Sequence, residues 1–365
     1  MTASFLTGPV AVRPEVHAAF CAPPSSHRSS AFLEMMQRTR AALCSLANAS
    51  RATLMVGSGT LANDAVAAQI ASIGGPGLVL SNGEFGERLV DHATRWNLGF
   101  AVEQCPWGRG FDWGQVRERA RSARPAWIWA VLTETSTGVV NPLAKLLELK
   151  ECAGAELCLD AVSAVGLMPV DFAAVRFATA VSGKGLAAFP GLCVVFHDGR
   201  LASKPLPRYL DLAAYEAADG VPFTHSSNLL AALERSLSLT HWPRKFERVR
   251  RKSLEMHAAF AALALPPLAG EDDAAPGIVT LPLPATIRAN EVARTLAAGG
   301  FEVAWQSRYL QERNWLQIAL MGEIDNEALH RLPAVLGKVL RANQRSMTRW
   351  PSARRDQSRS TWARR

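Results

Sequence analysis

The chain has 365 residues, 48% of them hydrophobic and 20% charged, with a formal net charge of +8. Its length exceeds the roughly 250 to 300 residues that one core fills, so two units are expected, and the composition is that of an ordinary globular enzyme. Nine basic residues and one acid from Lys338 onward carry the whole charge excess, leaving 31 basic and 31 acidic residues before them, which argues against a nucleic-acid-binding body and predicts a basic tail that is either solvated or meets RNA, anionic lipid or a partner.

No stretch approaches 18 apolar residues free of charge, so no membrane span is expected. The six cysteines form no Cys-x-x-Cys pair. The first residues show no basic region followed by an apolar stretch, so no secretory leader is expected and reduced thiols in a cytoplasmic protein are the expectation.

In chain order, apolar residues at helical spacing predict helices over 30–47 and 61–70 on either side of a short strand, 52–56. Strands follow at 77–80, 100–104, 126–132 and 156–160, with helices at 86–96, 113–120 and 143–153 between them, and two more strands at 177–181 and 193–196. Short apolar runs alternating with amphipathic helices imply an α/β fold whose mostly parallel central sheet has helices on both faces. A long helical segment, 228–263, interrupted at Pro243, connects to a smaller α+β unit of strands 278–281, 302–305 and 315–320 and helices 290–298 and 326–340.

Ligands on such sheets bind beyond the carboxyl ends of the strands, where Gly57, Thr133, Asp160 and Ser182 are expected to converge. Gly57-Ser58-Gly59-Thr60 opens a helix after a strand, so its amides can hold a phosphate, or merely form a cap and turn. With Ala62 it also satisfies a relaxed dinucleotide fingerprint, but the next strand ends in Ser81-Asn82 where the ribose-binding acid belongs, with Glu84 nearby. Asp160 ends a central strand, where a carboxylate is expensive to desolvate unless a cation meets it, although it could equally cap a helix. Lys184 follows in Val181-Ser182-Gly183-Lys184, in a segment with few other charges; burial would favour its neutral, nucleophilic form, whereas a surface lysine in such a connection is commonplace. An amine for an imine, an acid for a pyridine nitrogen and amides for a phosphate are together the groups that pyridoxal phosphate requires.

Six segments stand out: Phe5-Leu6-Thr7-Gly8-Pro9-Val10, Ser26-His27-Arg28-Ser29-Ser30-Ala31-Phe32, the turn at 57–60, Asn82-Gly83-Glu84-Phe85-Gly86-Glu87-Arg88, Thr133-Glu134-Thr135-Ser136-Thr137-Gly138 and Asp160-Ala161-Val162-Ser163. Together they resemble the class V aminotransferases of the fold type I pyridoxal-phosphate group, near the alanine:glyoxylate, serine:pyruvate and 2-aminoethylphosphonate:pyruvate branches. The resemblance spans residues 5 to about 335. It implies an internal aldimine at Lys184, a pyridinium partner in Asp160, ring faces covered by Val162 and Phe85, and a phosphate held by Ser58, Gly59 and Thr60. It further implies Ser136 near the 3-oxygen, Thr224 reaching the phosphate of a partner subunit in a homodimer, and Gly8, Arg28 and position 317 near the substrate. The implied division is an N-terminal segment 1–14 packing with the small domain, a large cofactor-binding domain 15–240, a small domain 241–341 and a basic, disordered tail 342–365.

Two departures stand out. Gly183 replaces a glutamine of many relatives, and Gln317 replaces the arginine that usually clamps the substrate α-carboxylate. Arg28, Arg308 and Arg313 are the candidates to compensate; otherwise the substrate lacks that carboxylate or activity is lost. The implied reaction is ping-pong transfer of an amino group from a small amine or amino acid to a 2-oxo acid, with no metal. A lyase or decarboxylase on the same scaffold, or a non-catalytic protein acting through its tail, are the competing readings; a desulfurase is disfavoured because no cysteine follows Cys193.

Overall fold

The computed structural model describes residues 2–348. Near the N-terminus lie β1 (Ala3–Phe5), α1 (Pro14–Phe20) and α2 (Ser30–Ala47). Strands and helices then alternate as β2 (Arg51–Val56), α3 (Gly59–Ile73), β3 (Gly77–Ser81), α4 (Glu84–Arg95), β4 (Phe100–Gln104), α5 (Trp113–Ala123) and β5 (Trp127–Val131). A hairpin of β6 (Thr133–Glu134) and β7 (Val139–Val140) precedes α6 (Leu143–Ala153), β8 (Glu156–Asp160), β9 (Phe177–Val181) and β10 (Leu192–His197). The rest comprises α7 (Leu212–Ala217), α8 (Ser227–Leu239), α9 (Trp242–Ala261), β11 (Ile278–Pro282), α10 (Ala289–Ala298), β12 (Phe301–Val303), α11 (Arg308–Arg313), β13 (Trp315–Ala319) and α12 (Asn326–Thr348).

Seven strands form one sheet in the order β2-β10-β9-β8-β5-β3-β4, parallel except for β10, which runs antiparallel to both neighbours. Period-two alternation sends Leu78, Leu80, Ile128 and Ala130 into one apolar cluster and Val79, Trp127, Trp129 and Val131 into another on the opposite face. Both faces are covered, which is why β3 and β5 read as uninterrupted apolar runs rather than alternating ones. Register places Asp160 beside Val131 on one side and Thr179 on the other, so the acid sits at the carboxyl edge of the sheet.

The segment expected as one interrupted helix is two helices. Pro243 lies in the first turn of α9, where its missing N–H costs nothing, and His241 caps that turn by accepting from the Arg244 amide. A separate apolar cluster forms where β11 pairs antiparallel with β13 and β1 pairs in parallel with β12. The N-terminal strand is thereby stitched to elements about 300 residues later in sequence. The expected tail 342–365 begins inside α12, and residues 349–365 lie outside the described residues. No helix among the described residues is long and apolar enough to cross a membrane.

Candidate active site

At the carboxyl edge of the sheet a cavity of about 540 Å³ opens, lined by Gly57, Ser58, Gly59, Thr60, Asn63, Asp160, Val162 and Lys184, with Thr7, Gly8 and Pro9 along one wall and Phe85, Arg88, Ser307 and Tyr309 along another. Strand ends and the loops after them supply the first set, as sheet topology requires.

Lys184 leaves β9 through a short loop and points its Nζ at the Ser163 hydroxyl, 2.8 Å away. The amine lies 5.2 Å from the centre of the Phe85 ring. Burial lowers its pKa from 10.5 to about 8, against the opposing pull of Asp160 and Glu134 and with help from Arg88. Asp160 is buried and its carboxylate is oriented by two donors. The Val162 amide reaches Oδ1 at 3.0 Å, and the Asn63 amide reaches Oδ2 at 2.8 Å. The Thr179 hydroxyl donates to the Asn63 carbonyl at 3.1 Å, which turns the NH₂ of Asn63 toward the acid.

Ser58 takes the cap position of α3 in an extended conformation, yet no side chain caps that helix. The Gly57 amide is already bonded to the Gly191 carbonyl at 2.9 Å, but the first turn of a 15-residue helix faces the cavity with free donors. A Cβ at Gly59 would stand 3.1 Å from Val162, so a side chain there would crowd both the turn and the wall.

Phe85 is set by a buried acid on β6. Glu134 accepts from the amides of Phe85 (3.1 Å) and Gly86 (3.0 Å) and from the amide and hydroxyl of Ser136 (3.1 and 2.5 Å). Burial drives the Glu134 pKa up, while those four donors hold it back. The chain can pass this close only at Gly83, where a Cβ would lie 2.4 Å from Glu134 Cγ and 2.6 Å from Ser136 Oγ.

Eight of the twelve expected site residues share one fate. Ser58, Gly59, Thr60, Phe85, Asp160, Val162, Lys184 and Gly8 all line the cavity. Ser136 does not: its buried hydroxyl donates to Glu134 and accepts from the Glu84 amide at 3.1 Å, so both its capacities are spent behind the wall. Arg28 is exposed and outside the cavity. Thr224 is exposed in a separate small depression with Val56, Tyr209 and Phe223. Gln317 is fully buried on β13, where its amide donates to the Thr135 and Ser136 carbonyls (2.6 and 3.0 Å) and the Thr280 hydroxyl (2.8 Å), and its carbonyl accepts from the Tyr309 hydroxyl at 3.0 Å. It braces Tyr309 and presents nothing to a ligand.

The compensating arginines fare no better. Arg308 is 90% exposed and paired with Glu312, and Arg313 stacks over Trp107 and Trp315. At Gly183 a Cβ would meet the Pro190 backbone at 2.9 Å, so the side chain found there in relatives has no room. Asn63 and Tyr309 carry structural weight that their sequence positions did not announce, and Arg88 and Glu134, though inside two of the resembling segments, are given no role of their own by that resemblance.

The aminotransferase class-V family model matches residues 17–209, more than half of the chain. The chain belongs to the class-V aminotransferase family. The aminotransferase is 31% identical over 317 residues to a protein named soluble hydrogenase 42 kDa subunit from Anabaena cylindrica, covering 82% of each chain. It is 29% identical over 245 residues to a 2-aminoethylphosphonate–pyruvate transaminase of Pseudomonas putida (strain W619), covering 62% of this chain and 66% of that one. The crystal structure of an alanine–glyoxylate aminotransferase from Nostoc sp. superposes with a TM-score of 0.84 at 27% identity, covering 93% and 95% of the two chains. The fold is therefore that of the fold type I enzymes, the activity is transfer of an amino group, and pyridoxal phosphate is the cofactor. The cavity of the aminotransferase fits that group by its donor set: a helix start with uncapped amides, an oriented carboxylate and an amine of lowered pKa open onto one space.

Proposed function

We propose that Lys184 is the residue that binds the cofactor covalently and shuttles the proton, within an enzyme that passes an amino group from a small amine or amino acid to a 2-oxo acid. The observation that carries this reading is the convergence of the Lys184 amine, the Asp160 carboxylate and the open start of α3 on one cavity. When bound, pyridoxal phosphate supplies an aldehyde that takes up the amino group and a pyridinium that draws electrons from the substrate Cα.

The residues divide the remaining work. Asp160, held by Asn63 and Val162, keeps its charge directed at the ring nitrogen, an arrangement worth about 1.5 to 3 kcal/mol as a charge-assisted hydrogen bond. The α3 amides with the Ser58 and Thr60 hydroxyls hold the phosphate. Phe85 and Val162 close the two faces of the slot. The Lys184 Nζ, lowered by burial to a pKa of about 8, would take the proton from the substrate Cα and deliver it to C4′ of the cofactor, and would move a proton in the opposite direction in the second half of the cycle. Ser163 receives the ammonium form at 2.8 Å.

Small 2-oxo acids such as the glyoxylate and pyruvate named for two relatives are the proposed acceptors. The proposed assembly is a homodimer in which Thr224 completes the phosphate site of the other copy. Its support is the exposed apolar surface beside Thr224, where Val56 and Tyr209 are 39% and 49% exposed. Six free thiols support a cytoplasmic location, and the break between α8 and α9 supports a domain boundary near residue 240. Borohydride reduction followed by peptide mapping tests the central assignment. The adduct is expected on Lys184 and absent from Lys184→Ala; an adduct on another lysine, or none, overturns it. Sedimentation of the holoenzyme tests the dimer, which a monomer at micromolar concentration rules out.

A further inference from the structure

We propose that Arg88 is the residue that receives the carboxylate of the substrate in this active site, in place of any group on β13. The inference rests on the reading of Lys184 above. A 2-oxo acid brings a carboxylate into a partly buried cavity, and an anion there needs a cation with hydrogen-bond donors. Among the described residues three basic side chains line the cavity, namely Lys184, His92 and Arg88. Lys184 is committed to the cofactor, and His92 is committed to Asp64, 2.7 Å from its Nδ1.

Arg88 alone has capacity to spare. Its guanidinium stands 4.8 Å from the centre of the Phe85 ring, on the ring that also faces the Lys184 amine. Nε and Nη2 donate to one oxygen of Glu84, at 3.1 and 3.0 Å, an i,i+4 pair in which the Arg88 side chain is 52% exposed, and Nη1 bonds to no protein atom among the described residues. The group is also electrically felt at the reaction centre, since it lowers the pKa of Lys184. The Tyr309 hydroxyl, which also lines the cavity, is held by the Gln317 carbonyl, so the space open to a substrate is bounded by the Arg88 guanidinium and a positioned phenol. Position 317 itself contributes no donor, because all its amide hydrogens are already taken by Thr135, Ser136 and Thr280. Glu84 does not cancel the site: its charge orients Arg88, and Arg308 adds a second positive charge close to it.

The consequence is a class of substrate, an amine or oxo compound with an anionic group, recognised from α4 and not from the small-unit sheet. Two probes that share a nucleophile test this on the holoenzyme. Aminooxyacetate carries a carboxylate and O-methylhydroxylamine does not, and both discharge the bound cofactor with loss of its long-wavelength absorption. In Arg88→Met the rate ratio of the two is expected to fall by about 10- to 100-fold, the factor of one charge-assisted hydrogen bond, with the O-methylhydroxylamine rate held within about threefold. Arg88→Lys, which keeps charge but not the planar fork, is expected between the two. The upshift in melting temperature given by propionate over propionamide is expected to vanish in Arg88→Met. An unchanged ratio, an equal fall with both probes, or a selective loss of cofactor affinity in Arg88→Met and Arg88→Lys overturns the proposal. A wild-type holoenzyme inert to both probes removes the Lys184 reading beneath it instead.

Discussion

Trace acetylation of the cofactor-free protein reads the Lys184 amine directly. With a pKa of about 8 in place of 10.5, about 9% of the amine is neutral at pH 7, against about 0.03% for an unshifted lysine, a gain of roughly 300-fold in nucleophile. The sign follows from the causes: enclosure disfavours the ammonium and Arg88 repels it, whereas Asp160 and Glu134 attract it. Labelling with acetic anhydride from pH 6 to 11, quantified by mass spectrometry against exposed Lys204, is expected to rise with unit slope and level off near pH 8. Asp160→Asn removes an attraction and is expected to move the midpoint lower; Arg88→Met removes a repulsion and moves it higher. The same depression makes the apoprotein more stable as pH rises from about 8 to 10.5, because across that window the unfolded chain binds a proton that the folded one refuses. A Lys184 profile that superimposes on that of Lys204 refutes the argument that burial activates this amine.

Asp160→Asn is expected to weaken cofactor binding by about 10- to 100-fold, measured by equilibrium dialysis, because the charge-assisted bond is lost while Asn63 still finds an acceptor. Gln317→Leu leaves the Tyr309 hydroxyl and the Thr135 carbonyl without partners, while the Ser136 carbonyl keeps the Thr280 hydroxyl, and urea unfolding is expected to show a loss of about 2 to 4 kcal/mol; a loss under 1 kcal/mol shows that water replaces the amide. Gly83→Ala drives a methyl against Glu134 and Ser136, with an expected cost of about 1 to 3 kcal/mol and a displaced Phe85, visible as reduced cofactor affinity.

Much of this architecture is legible in the chain because it is local. The strand and helix periods of residues 51–160, the glycine turn before α3, and the spacing of Asp160 and Lys184 are patterns that neighbouring residues write together. What escaped depends on contacts distant in sequence. Asn63 sits mid-helix with no local signal, and only the fold brings it to an acid 97 residues away. Gln317 reads as a lost arginine until β13 is paired with β11 and its amide is seen to be spent on the β6–β7 turn and Thr280. Ser136 resembles a ligand in sequence, but the buried Glu134 two residues earlier claims its hydroxyl. Pro243 reads as an interruption and proves to be a beginning, since a proline signals a boundary without saying which side of it the next helix lies.

The parallel pairing of β1 with β12 has a practical side. Because Ala3–Phe5 are anchored beside Phe301–Val303, the stretch through Thr7, Gly8 and Pro9 that follows them is held along one wall of the cavity. Whatever loosens the grip of Phe301–Val303 on Ala3–Phe5 is therefore felt in the cavity, about 300 residues away along the chain, with no change to any side chain of the large sheet.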